Sequence, residues 1–152
     1  MIVDKTSTKS KSNPAPIWFW IVSGVLLVWN LMGLAAFAFF MAMSNSEQAL
    51  QQSGLNEAQL QLIRDTPSWV NIAFAVATIF GVLGCIALLM RKSVATPLLI
   101  LSLLGVAAQN TYVFLLSNSV EVMGIGLSPI VIPIAIALVP FAIYCSKRVW
   151  WK

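Results

Sequence analysis

The chain contains no histidine. That absence removes the commonest acid–base of neutral pH together with the commonest metal ligand. Charge of either sign is scarce as well. Charged residues fill 9% of the 152 positions and hydrophobic residues 59%, against about 25% and about 45–50% in an ordinary soluble domain. A surface with so few charges does not stay in water. The charges that exist fall in short clusters, and no Asp, Glu, Lys or Arg lies inside the apolar runs between them. Proton- and voltage-coupled machinery usually carries ionisable groups at membrane depth, which disfavours a pump or proton antiporter. No Gly-rich phosphate loop, His/Cys ligand set or nucleophile with a plausible base stands in the sequence. The reading is therefore non-enzymatic, with no catalytic residue, cofactor or metal.

What remains is four apolar runs, at 17–43, 67–90, 97–116 and 129–145. Each is close to the ~20 residues that cross ~30 Å of hydrocarbon. They predict an all-α integral membrane four-helix bundle in up-down order over 17–146, with the lipid bilayer as its first partner. Residues 1–16, rich in Lys, Ser and Thr and ending near Pro14 and Pro16, read as a flexible polar tail. Residues 147–152 form a basic C-terminal end. The first run follows a basic stretch, as a secretory signal does, but far exceeds an h-region of about 7–15 residues. It is expected to stay as an uncleaved span. At 1.5 Å per residue it measures about 40 Å, so it must tilt or project beyond the hydrocarbon.

The loop 44–66 carries a helix start: Asn56 as N-cap, Gln59 three residues on, Leu55 and Leu60 at the staple positions. A short extracytoplasmic helix over 56–64 follows, with Leu60 and Ile63 lying on the membrane or the neighbouring helices. Thr66-Pro67, Thr96-Pro97 and Ser128-Pro129 each look like a hydroxyl cap followed by a first-turn proline, opening spans two, three and four. Pro140, inside the fourth run, should kink it. Both hairpins end in basic pairs, Arg91-Lys92 and Lys147-Arg148, yet no convincing residue repeat relates them.

Charge sets the orientation. With four spans, Lys5, Lys9, Lys11, Arg91, Lys92, Lys147, Arg148 and Lys152 share one side, against Arg64 alone on the other. The positive-inside rule then puts both termini in the cytoplasm. Trp18 and Trp20, matched by Trp150 and Trp151, suit the inner headgroup level. The net charge of +4 gives no nucleic-acid reading, because the basic residues flank apolar runs and form no continuous face. Cys85 and Cys145 fall toward the cytoplasmic ends of their spans and are expected as free thiols, packing as small apolar groups.

Two constellations carry what specificity there is. In the second span Ala73, Ala77, Gly81 and Cys85 recur every four residues, a stripe of small side chains that lets backbones approach closely. Packing within the chain is the blander reading of such a stripe and a dimer or partner interface the sharper one. The other constellation is polar. Asn30 in the first span and Gln109 and Asn110 in the third lie at similar depth, and amides facing lipid are costly, so they should face inward and pair. An interhelical hydrogen bond is the structural reading. A polar midplane site for a small hydroxylated or zwitterionic solute is the functional one, with Tyr112, Thr78 and Asn71 as candidate extensions.

Certain stretches resemble an uncharacterised family of small bacterial four-span inner-membrane proteins. They are Leu27-Val28-Trp29-Asn30-Leu31-Met32-Gly33, Pro67-Ser68-Trp69-Val70, Gly81 and Gly84 followed by Leu88-Leu89-Met90-Arg91-Lys92, and Ser102-Leu103-Leu104-Gly105. The resemblance covers roughly residues 16–125 and fades through the fourth run. It implies a bacterial inner-membrane location and the same four-span layout. Some members of that family carry a sugar-transporter label; no binding residue is carried over. Two functions are consistent with these features. The leading one is a non-enzymatic bundle acting by self-association, as a homo-oligomer, or with a partner membrane protein. The alternative is a small-solute transporter or permease component, with sugars among the candidate solutes, built around Asn30 and Asn110. A lipid-binding role rests on the 56–64 helix alone.

Overall fold

In the computed structural model, residues 15–124 and 128–147 are described, and among them every regular element is a helix. The order is α1 (Ile17–Ser44), α2 (Glu47–Gln52), α3 (Glu57–Arg64), α4 (Ser68–Leu89), α5 (Ala95–Thr111), α6 (Ser119–Met123) and α7 (Ser128–Ser146). A π-helical turn, Tyr112–Leu116, prolongs α5. Three helices are long and apolar enough to cross a membrane: α1, α4 and α5 with its extension. The apolar stretch Pro129–Cys145 of α7 is shorter. Residues 1–14 and 148–152, which hold Lys5, Lys9, Lys11, Trp150 and Trp151, lie outside the described residues, as does the side chain of Ser128.

Local chemistry accounts for most boundaries. Asn56 Oδ1 accepts from Gln59 N at 2.9 Å while Gln59 Oε1 accepts from Asn56 N at 3.1 Å, a reciprocal capping box that starts α3. α2, with Ser46 as its N-cap, was not anticipated from the loop sequence. The hydroxyl caps expected from Thr66 and Thr96 are corrected. Thr66 Oγ1 turns back to Leu62 O at 2.8 Å, and Pro67 itself is the N-cap of α4, its carbonyl accepting from Val70 N. α5 begins at Ala95, ahead of Thr96, whose buried hydroxyl makes no hydrogen bond among the described residues. Proline lacks the N–H a helix start leaves idle, so it opens a helix without a hydroxyl before it.

α4 ends with Lys92 N bonded to Ala87 O and Arg91 N to Leu88 O, both 2.9 Å, around Arg91 at φ +57°. This is the usual left-handed helix stop, with arginine where glycine is favoured. α7 runs on through Pro133 and Pro140, each of which deprives the carbonyl four residues earlier of its partner.

α4 is the central helix. It packs on α1 and, most extensively, on α5; α5 in turn packs on α7. The α4–α5 turn, the start of α1 and the end of α7 share one end of the molecule, called here the turn end. α2, α3 and α6 sit at the other, the loop end, where Gln59 Nε2 donates to Val122 O at 3.4 Å. The core is concentrated at the turn end: Phe19, Cys85, Leu88, Leu99, Leu138, Ala142 and Cys145 are buried together. There the rings of Trp18 and Phe19 on α1 meet Phe141 on α7, with Trp18 also against Tyr144.

Candidate functional site

The small-residue stripe of α4 is consumed inside the chain. Ala73, Ala77, Gly81 and Cys85 are all buried. A Cβ built on Gly105 of α5 would stand 2.7 Å from both Ala73 O and Ala77 N, so α5 approaches α4 backbone to backbone. Ser102, one turn away, donates its hydroxyl to Ala77 O at 2.6 Å. On the α1 side, Asn30 Oδ1 lies where a Cβ on Gly81 would be, and Asn30 Nδ2 reaches Cys85 Sγ at 3.4 Å. Small residues permit this proximity, and the contacts it creates are what lipid cannot supply.

Beside this seam is a cavity of about 540 Å³, walled by α1, α4, α5 and α7. Asn30, Gln109 and Asn110 all line it, with Thr78 and Ser102 as further polar groups. Trp29, Met32, Phe74, Leu99, Val113, Ile130, Ile134 and Leu138 supply much of the apolar wall. Phe19, Cys85, Ala142 and their neighbours pack the turn end solidly, so the cavity occupies the region from mid-helix toward the loop end. It lies between α1 and α7, whose ring contacts stand at the turn end.

The expectation that the amides pair is corrected. Asn30 Nδ2 donates to Leu26 O at 2.8 Å, and Asn110 Nδ2 to Val106 O at 2.8 Å, each within its own helix. The lowest-cost partner of an amide in a helix is the carbonyl one turn back, which is always within reach. The Gln109 carboxamide, half-buried, has no hydrogen-bond partner among the described residues. Thr78 spends its hydroxyl on Phe74 O and Ala75 O, at 2.9 and 3.2 Å.

The other candidate extensions do not reach the cavity. Tyr112 is buried against Trp69, ring centroids 5.8 Å apart and nearly perpendicular, and lines a separate loop-end cleft of about 350 Å³ with Asp65 and Asn118. Asn71 lines neither space. Three contributors escaped the sequence reading. Ser102 with Gly105 forms a small-residue face on α5 that answers the α4 stripe, and that spacing was there to be read. The Ile130, Val131 and Ile134 wall of α7 has no signal within a uniformly apolar run. The π turn is likewise unmarked: Ser117 Oγ donates to Tyr112 O at 3.0 Å and closes it.

Comparison with known proteins gives no match: no family model, no curated protein and no solved structure is significantly similar to the chain.

Proposed function

We propose that this chain is a small multi-pass protein of the bacterial inner membrane, a four-span up-down bundle with both termini in the cytoplasm. Its work is to hold a small uncharged molecule in a cavity near the bilayer midplane, as a transporter or permease component would. The observation that carries this reading is the cavity itself, with Asn30, Gln109 and Asn110 on its wall. The space is a cleft partly open to the outside rather than a sealed void. About 540 Å³ falls within the ~300–1,000 Å³ of small-molecule sites, which are mostly apolar with a few placed polar groups. The orientation follows from Arg91, Lys92 and Lys147 at the turn end, where positive charge favours the cytoplasm. The α4 stripe packs on α1 and α5 within one chain, so it offers no free face to a second molecule.

Thermal unfolding of the detergent-purified chain against a panel of uncharged solutes, from polyols to aromatic alcohols and amides, tests the reading. At least one class should raise the Tm of the wild type and leave Ala135→Phe unmoved, since that ring would fill the cavity. A flat response across every class would sink it.

A further inference from the structure

We infer that the cavity's occupant is a neutral, mainly apolar molecule with one hydrogen-bonding head group, held by Gln109 and Asn110. The inference rests on the cavity being a binding site and names what it takes. Charge is decided first. Among the described residues no ionisable side chain lines the cavity, so an ion or a zwitterion would enter a medium of low polarity with nothing there to compensate it.

Hydrogen-bonding capacity decides the rest. A carboxamide offers two N–H donors and an acceptor oxygen with two lone pairs. Asn30 has already committed both donors, to Leu26 O and Cys85 Sγ, and its oxygen abuts Gly81. Ser102 donates to Ala77 O, and Thr78 to its own helix. Asn110 has given one donor to Val106 O, which leaves one N–H and the oxygen. Gln109 retains its full complement, with no partner among the described residues. The groups that still both donate and accept are therefore two adjacent residues on one helix; Trp29 adds a single indole N–H, Ser102 and Thr78 keep only acceptor oxygens, and Met32, Phe74 and Ile134 offer apolar surface.

A sugar presents hydroxyls all round its ring, and most would lie against hydrocarbon unsatisfied. A molecule with one compact head that both donates and accepts, on an apolar body, matches what the wall offers. Bilayer-dissolved amphiphiles have that form. Trp29, on the α1 wall, makes occupancy observable.

The test is quenching of the intrinsic fluorescence of the full-length chain in nanodiscs by 4-bromobenzyl alcohol, whose bromine quenches indole at contact. A saturable component should appear above the linear quenching caused by partitioning into lipid. It should vanish in Trp29→Phe and weaken about tenfold in Gln109→Leu. 1-Bromo-4-ethylbenzene, which lacks the hydroxyl, should bind the unaltered chain at least tenfold more weakly, and this comparison needs no variant to fold. Excess D-glucose should displace nothing. Equal saturable quenching by the headless compound, or displacement by glucose, overturns the inference. Absence of any saturable component overturns it as well. In each case the thermal-shift panel decides separately whether the cavity binds some other class or nothing.

Discussion

The side-chain oxygen of Asn30 on α1 occupies the position that a Cβ on Gly81 of α4 would need. The glycine therefore presents its Cα–H to a carbonyl oxygen, a weak contact that recurs where helices approach closely. It also explains why an amide at mid-helix depth can leave its oxygen without a conventional donor. Gly81→Ala should destabilise the chain by about 1–3 kcal/mol through overpacking. Asn30→Ala in the same molecule should recover part of that loss, a coupling of about 0.5–3 kcal/mol. Recovery stays partial because Ser102 Oγ also lies 3.1 Å from the new methyl. Reversible unfolding of the four proteins of this cycle in mixed detergent measures the coupling, and strict additivity would show that the two residues are not in contact.

The glycines of the α4–α5 seam should rank by what their added methyl meets. Gly105→Ala meets the backbone of Ala73 and Ala77, which cannot rotate away. Gly84→Ala meets the side chain of Leu99, and Gly24→Ala on α1 meets nothing within 4 Å. The expected order of destabilisation is Gly105, then Gly84. Gly24→Ala should be neutral or stabilising by up to about 1 kcal/mol, from helix propensity. Midpoints from the same unfolding assay give the order; a Gly24 variant as damaged as the Gly105 variant would refute it.

Asn30 and Asn110 should behave as independent residues. Each amide bonds the carbonyl one turn back on its own helix, so the effects of Asn30→Leu and Asn110→Leu should add within about 0.5 kcal/mol. A larger coupling would mean that the two amides meet, as the sequence had suggested.

The capping box of α3 should act locally. Asn56→Ala removes one of the two reciprocal bonds and should cost about 0.5–2 kcal/mol. Hydrogen exchange should rise at the first-turn amides of α3 while those of α4 stay unchanged. Uniform acceleration across both helices would show that α3 is integral to the core.

Orientation is testable without purification. A fluorescent protein fused after Lys152 should mature and glow in the cytoplasm. Alkaline phosphatase inserted at Gly54, an exposed left-handed position between α2 and α3, should be active outside the inner membrane. The reverse pair of results would invert the bundle.

Composition and spacing were enough to determine the helical class, the long apolar helices and the capped α3. These features depend on the chain's own run lengths and on hydrogen bonds spanning three or four residues, so each is settled within a short window. The small stripe from Ala73 to Cys85 was equally legible, because helical periodicity alone puts its members on one face. Which surface that stripe meets was not. The choice between Asn30, Gly105 and a second molecule depends on how helices distant in sequence are brought side by side. The same holds for the amides: depth placed Asn30 and Asn110 at one level, but only the lateral positions of α1 and α5 separate them across a cavity. In an almost uniformly apolar chain no side chain labels the inward face of α7. The cavity is therefore a property of tertiary packing, created where α1 and α7 meet at one end and leave room further along.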